Sequence, residues 1–392
     1  MTSQSLRTIP APYQEYASLR REMPIFHDVK SDVWIVSRFA DVRAVLREHR
    51  YFSSSVLGQD SFEIRSPEDG SILANEDTLL ASDPPRHDRL RVHIGRLFAP
   101  ERLAGFEAAA CRELDGVVVK LATQNRFEIV HDVCEPVVAA VMASVFGLDA
   151  SWHPLVAQWL RVSGECNARS KPATLRSRFD AMLDEIWRAA PLCSLTGLGV
   201  FMAAWRRGEI DARQVLDLTV TLLKGGADTT TYLVGNVLAL LADQPGLMAD
   251  VRRDSEIIPA LIEESLRTDS PVQLTVRLTT ADVELAGHRI PANSRVILLL
   301  GAANRDETVF GSEDQIQIDR KTRSHLAFGA GAHRCPGVAL ARMQGRVIVQ
   351  MLMTRLLEFR LVPHGAREVE LRALRGFERL EAEFLTGAPN SG

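Results

Sequence analysis

The order of apolar and polar positions divides the chain into a helix-rich body and a smaller strand-bearing part. From residue 86 to about 253, charged faces alternate with apolar stripes such as Val117, Val118 and Leu121, the spacing of amphipathic helices. The longest such stretch covers residues 211–242. Asp211 and Gln214 have capping-box spacing at its start, and Pro245-Gly246 stops it. A second helix is predicted over 257–268 and a last, long amphipathic one over 338–359. Residues 24–39 predict two short strands around a polar turn at Lys30, Ser31 and Asp32, with a helix over 41–49 behind them. Strand-like alternation returns over 272–300, turning at Gly287 and at Pro291-Ala292-Asn293, and the chain ends in short strands. Residues 53–82, rich in Ser, Asp and Gly, read as a long loop, and 160–210 as helices interrupted at Gly164, Pro172, Pro191 and Gly197. The pattern is mainly α with a small, mostly antiparallel β portion. No repeat or linker divides it, so residues 1–392 read as a single domain, although the length exceeds the ~150-residue norm.

Composition narrows the class. Hydrophobic residues make up 46% and charged residues 24%, which excludes disordered and collagen-like chains. A net charge of -4 supplies no global positive field, so nucleic acid is not an expected partner. The N-terminus lacks the apolar core of a signal peptide. The longest apolar runs, 136–148 (broken by Ser144) and 296–303, fall short of the ~18 residues of a membrane span. Both read as buried core, in a cytoplasmic protein without a membrane. Five cysteines, an odd number with no C-x-x-C pair, argue against a disulfide framework or a Cys-rich zinc site. They read as reduced thiols that behave as small hydrophobes.

Cys335 stands apart. It lies in a loop, Phe328 to Gly337, with Gly329, Gly331 and Gly337 around it and a helix directly after. Glycines let such a loop aim backbone N–H groups at a sulfur, and a helix start adds positive potential; both favour thiolate over thiol. Three readings stand open: a structural cysteine beside a tight turn, a catalytic pair with His333, or a metal ligand. One cysteine cannot hold zinc or an iron–sulfur cluster. It can hold a haem iron, whose porphyrin brings the in-plane ligands. Lys224-Gly225-Gly226-Ala227-Asp228-Thr229-Thr230 is a second anomaly, because adjacent glycines inside a helix cost roughly 1 kcal/mol each. They serve either a close helix contact or a local opening for a cofactor.

Phe328, Gly331, Cys335 and Gly337 match F-x-x-G-x-x-x-C-x-G, which resembles the haem-ligand signature of the cytochromes P450, the haem-thiolate monooxygenases. The resemblance extends from about Pro24 to Phe384. It implies the cytochrome P450 fold, with haem b sandwiched between a long central helix and the Cys-loop helix, and Cys335 as the iron ligand. Gly225 to Thr229 is similar to the family's oxygen-binding motif, which makes Asp228 and Thr229 the acid–alcohol pair that orders water and moves protons. Asp83-Pro84-Pro85-Arg86-His87-Asp88-Arg89-Leu90-Arg91 resembles the family's D-P-P-x-H-x-x-L-R. By motif position His87, Arg91, Arg277 and His333 are the partners of the haem propionates, while Phe328, Gly225, Gly226, Gly331 and Gly337 line the cofactor. Glu264 and Arg267 match the E-x-x-R clamp; Glu185 and Arg188 have the same spacing but not the position. For the clamp's further arginine, Gln315 occupies the family's place and Arg320 lies nearby. Asn304-Arg305-Asp306 matches A-N-R-D, with Glu307 where the family usually has Pro.

The resemblance also implies the partners. The chain shows no flavin, iron–sulfur or nucleotide motif, so electrons from NAD(P)H arrive through a ferredoxin or flavodoxin and its reductase. Five Arg between Arg86 and Arg102, with Arg334, Arg342 and Arg346, form a basic patch suited to an acidic redox partner. The expected activity is oxidation, by hydroxylation or epoxidation, of a small to medium, partly apolar organic molecule in secondary metabolism, by a monomer. Gln273, Leu274 and Val276 are candidate substrate contacts, with residues 55–80, 160–205, 223–230 and 376–380. Oxidative coupling, ring formation, peroxide use, or non-catalytic haem sensing are the alternatives.

Overall fold

The computed structural model describes residues 12–55, 78–158, 188, 197–311, 315–320, 324–356, 358–369 and 373–385. The predicted loop over 53–82 and the interrupted helices over 160–210 therefore lie largely outside the described residues. In chain order the elements are α1 (Tyr13–Glu22), β1 (Ile25–Asp28), β2 (Val33–Val36), α2 (Phe39–Arg47), β3 (Phe52–Ser53), α3 (Arg86–Gly95), α4 (Pro100–Leu121), β4 (Arg126–Glu128), α5 (Glu135–Phe146), α6 (Gly197–Arg206), α7 (Ala212–Asp243) and α8 (Pro245–Arg253). There follow α9 (Ile258–Thr268), β5 (Leu274–Thr279), β6 (Val283–Leu285), β7 (His288–Ile290), β8 (Arg295–Leu299), α10 (Leu300–Ala303), α11 (Glu307–Phe310), α12 (Val338–Arg355), β9 (Phe359–Glu368) and β10 (Phe377–Phe384). The chain forms two compact units. One comprises Met1–Arg91, Glu263–Cys335 and Val369–Arg375; the other comprises Val92–Ile262, Pro336–Glu368 and Gly376–Gly392.

The first unit is built on a five-stranded sheet of order β1-β2-β8-β5-β3. β2 runs parallel to β8 in the register Val33↔Arg295 to Val36↔Leu298, and β5 returns antiparallel to β8. Alternation decides what covers each face. Val33 and Ile35 pack with Tyr16 and Leu19 of α1. Val36 packs with Phe39, Val42 and Val45 of α2. Each such side chain, fully buried, stabilises the unit by roughly 1.5–3 kcal/mol. The expected strands at 24–39 and 272–300 are present. The helix expected over 41–49 begins earlier, at Phe39. Its first free N–H is capped by Asp306 Oδ2 at 2.8 Å, a cap supplied from far along the chain and invisible locally. α1 had no sequence expectation.

The second unit packs α4, α5, α7 and α12 together beside a three-stranded sheet of order β4-β10-β9. The capping box of α7 forms on both sides: Gln214 N donates to Asp211 Oδ1 at 2.8 Å, and Asp211 N to Gln214 Oε1 at 2.9 Å. Pro245 does stop α7, but as the first residue of α8 rather than of a loop. The helix expected over 338–359 ends at Arg355. Leu356 turns extended, and Phe359 pairs with Phe384 in the sheet and packs edge-on against Phe127. The closing strands are long, not short, at 10 and 8 residues. A π-helical segment, Ile129–Cys134, runs directly into α5. Together Ile129–Phe146 are 18 residues with a mean hydropathy of 1.6, long and apolar enough to cross a membrane by length and composition. With 78% of the run buried, it is the core helix of this unit. The apolar run expected at 136–148 missed its start, because His131 and Asp132 interrupt the pattern.

Candidate active site

In the first unit the cysteine loop is a tightly turned strap. Gly329 and Gly331 have φ of +66° and +71°, conformations that side chains rarely adopt. A Cβ on Gly331 would also meet the Leu46 carbonyl oxygen at 2.3 Å, so the end of α2 leaves room for hydrogen only. Cys335 N donates to the Phe328 carbonyl at 2.9 Å, and Arg334 N to that of Gly331 at 3.2 Å. These bonds deliver the half-buried Cys335 two residues ahead of Gly337, the N-cap of α12. Gly337 itself has φ -85°, which any residue can adopt, so its expected backbone role does not rest on positive φ. The contrast with Cys134 is chemical. That thiol is buried in the core, and burial pushes its pKa well above the ordinary value.

A cation and imidazole cluster belongs to the same unit. Arg91 Nη2 donates to the Arg334 carbonyl, next to Cys335. The rings of His87 and His333 lie 4.2 Å apart. His87 Nδ1 engages Asp88 Oδ1 at 2.9 Å, but Nε2 of His87 and Nε2 of His333 are both buried without a hydrogen-bond partner. Burial, then Arg277 and His87, pushes the His333 pKa down to about 3. Arg277 is 4% exposed, and burial lowers its pKa to about 10, with Asp83 offsetting part of the effect. Its Nη1 donates to the Val276 carbonyl at 2.7 Å and to Thr275 Oγ1 at 3.3 Å. No described carboxylate forms an ion pair with it. Asp83 is engaged instead by Ser53 Oγ and Ser54 N, at 2.5 and 2.9 Å. A buried cation and two unfilled imidazole nitrogens make a cluster built to receive an anion.

The clamp of the first unit is complete. Arg267 (1% exposed) grips Glu264 (4%) through Nε to Oε1 and Nη2 to Oε2, both at 3.0 Å. The third partner is Arg320, whose Nε reaches Glu264 Oε1 at 2.9 Å. Gln315, which holds the family's place for that arginine, contributes its backbone carbonyl to Arg267 and Arg320 at 3.1 and 3.2 Å. Burial raises the Glu264 pKa, but hydrogen bonds from Arg267, Gln317 N and Arg320 outweigh it and hold the carboxyl below its usual value. The same arrangement explains Asn304 to Glu307. Asn304 Oδ1 accepts from Leu326 N at 2.6 Å, Asp306 caps α2, and Glu307 pairs with buried Arg20 at 2.9 Å. A proline at 307 could not make that pair. Glu185 lies outside the described residues.

The three expected substrate contacts lie inside the first unit. Gln273, Leu274 and Val276 are 2%, 8% and 2% exposed. Gln273 Nε2 donates to the Ser270 carbonyl at 2.7 Å, and its Oε1 lies where a Cβ on Gly301 would be. Only its Nε2 has a hydrogen-bond partner; Oε1 is buried without one.

In the second unit α7 is uninterrupted through Gly225 and Gly226. Gly226 serves a close helix contact, because a Cβ there would meet Met142 Sδ of α5 at 2.9 Å; at Gly225 the space is open. Thr229 Oγ1 donates to the Gly225 carbonyl at 2.6 Å, one turn back. Asp228 and Thr229 are both partly exposed on this helix.

A half-buried cysteine in a tightly turned loop, in one unit with an anion-seeking cluster, is what a haem-thiolate protein would need. The comparisons agree. The family model described as cytochrome P450 matches residues 193–377. CYP199A2 of Rhodopseudomonas palustris is 31% identical over 383 residues, 95% of this chain and 91% of that one. The chain belongs to the cytochrome P450 family, and it is a monooxygenase of that family. The structure of CYP109Q5 from Chondromyces apiculatus is 30% identical with a TM-score of 0.83, covering 99% of this chain and 98% of that one. That of HmtN, a post-tailoring hydroxylase of himastatin biosynthesis, is 28% identical with a TM-score of 0.81, covering 95% and 97%. The family's cofactor is haem, supplied with electrons by redox partners. The residues present fit it: the cluster's unfilled donors suit two propionates, and the turned loop suits a thiolate.

Proposed function

We propose that this chain is a dioxygen-activating monooxygenase that hydroxylates or epoxidises a small to medium, partly apolar organic molecule. Cys335 in its glycine-turned loop, in one unit with an anion-seeking cluster, carries the reading. When bound, haem supplies the activation of dioxygen and the oxidation of the substrate. The chain's own residues do the rest. Cys335 Sγ would hold the iron, favoured as thiolate by the helix start that follows it in the chain. His87, Arg91, Arg277 and His333 would hold the propionates, whose charge His333 Nε2 and the buried guanidinium are placed to meet. Asp228 would hold and release a proton at its carboxylate. Thr229 donates its own proton to the Gly225 carbonyl, which leaves the lone pairs of Oγ1 free to order a water.

The remaining assignments extend this reading. Electrons from NAD(P)H would come through a ferredoxin or flavodoxin, with the arginines of 86–102 as the docking patch. The likeness to a tailoring hydroxylase favours secondary metabolism. Free Cys111 and Cys134 suit a reducing, cytoplasmic setting. A single functional domain and a monomer complete the proposal. The test is the reduced, carbon monoxide-bound spectrum of the holoprotein. A Soret band at the thiolate-specific position is expected, lost in Cys335→Ala. A histidine-type band in the parent protein would remove Cys335 as ligand.

A further inference from the structure

The chain entering the cysteine loop, His325 to Ala327, belongs to no helix or strand, so its buried N–H groups need partners from elsewhere. Leu326 N donates to Asn304 Oδ1 at 2.6 Å. Ala327, 9% exposed, donates its N–H to Nδ1 of His325 at 3.2 Å. A backbone N–H can only donate, so Nδ1 carries no proton and the imidazole proton sits on Nε2. That nitrogen meets Glu263 Oε2 of α9 at 3.3 Å, the acceptor such a proton requires. The ring is thereby held at both nitrogens, and the side chain is 3% exposed. Phenylalanine would fill the same space, but its ring presents neither an acceptor nor a donor. The ring of His325 also lies 5.8 Å from that of Phe328, whose carbonyl accepts from Cys335 N at 2.9 Å. Glu263 stands next to Glu264 of the clamp, so two successive carboxylates of α9 hold the segment ahead of Cys335 at two points.

We propose that His325 is a positioning residue for thiolate ligation: as the Nε2–H tautomer it holds the Ala327 N–H, and so sets the backbone that carries Phe328 and, through its carbonyl, Cys335. The inference rests on the reading of Cys335 as the iron ligand. Glu263 selects the tautomer, and Nδ1 does the holding. Loss of that acceptor leaves a buried N–H unpaired one residue ahead of Phe328, so the Phe328 carbonyl no longer has a fixed direction toward Cys335 N. The two contacts are separable. Asparagine places an acceptor where Nδ1 stands, and glutamine places a donor where Nε2 stands.

The reduced, carbon monoxide-bound holoprotein reports the ligand, and the decay of its thiolate band at a fixed, sub-denaturing urea concentration reports how firmly the loop holds it. His325→Gln keeps a donor for Glu263 and loses the acceptor, so the band should decay about tenfold faster than in the parent. His325→Asn loses the donor but keeps an acceptor for the N–H two residues on, so decay within about twofold of the parent is expected. Amide hydrogen exchange at Ala327 in the same holoproteins is the second readout: faster in His325→Gln, parental in His325→Asn. Equal decay in the two variants, fast or slow, overturns the proposal, as does the reverse order, which would assign the holding to Glu263. If His325→Gln retains no haem, parental haem content in His325→Asn supports the proposal, and loss of haem from both overturns it. A histidine-type band in the parent overturns instead the reading of Cys335 beneath it.

Discussion

Gly331 concentrates the constraints on the cysteine loop in one position. Its φ of +71° excludes ordinary side chains, and the Leu46 carbonyl excludes a methyl group in any case. Gly331→Ala should therefore cost more than about 1 kcal/mol and displace the strap that carries Cys335. Urea unfolding and haem retained per mole of protein measure the two effects; a variant with parental values for both would show that the loop yields. This residue was legible from sequence, because glycine is where conformational need is written into composition. Gln273 was not. It stands just ahead of β5, and its bond to the Ser270 carbonyl depends on neighbours that the linear pattern does not name.

Among elements, the clamp joins α9 to the segment ahead of the cysteine loop by one carboxylate held between two buried guanidinium groups. Glu264→Gln would leave both cations short of their counter-charge, at a cost of about 3–5 kcal/mol at neutral pH. Because the folded-state pKa of Glu264 lies below its ordinary value of 4.5, this stabilisation is present above that pH and is lost as pH falls through the folded value. The gap in urea midpoint between parent and variant should accordingly narrow below pH 4.5. A gap independent of pH would show that the carboxylate's charge contributes nothing. α7 was legible nearly residue for residue, since its capping box and the following proline are local signals. The start of α2 and the end of α12 were not, because Asp306 and Phe384 set them from distant parts of the chain. The clamp's third partner was legible only as a choice: motif register pointed to Gln315 with Arg320 nearby, and the fold brings in Arg320, five places later.

On the scale of the whole molecule, the fold carries an electrostatic demand that a bound anion would relieve. Removing haem should leave Arg277, His87 and His333 as the weakest part of the first unit. Stabilisation by a ligand follows its concentration over its dissociation constant, about 2.7 kcal/mol at a hundredfold excess. Hydrogen exchange on stripped protein should show protection lost first around β5 and the cysteine loop, with Arg277→Met recovering part of it. Equal loss across both units would separate the cluster from cofactor-linked stability.

The parallel pairing of β2 with β8 carries a consequence for how the chain is made. Val33 meets Arg295, roughly 260 residues later, and translation at about 5–20 residues per second leaves β2 without that neighbour for tens of seconds. During that interval Ile35 and Val36 can be covered only by α1 and α2, while an apolar strand edge stays open to other nascent chains. What shelters that edge during synthesis therefore bears on how much of this chain reaches the finished sheet.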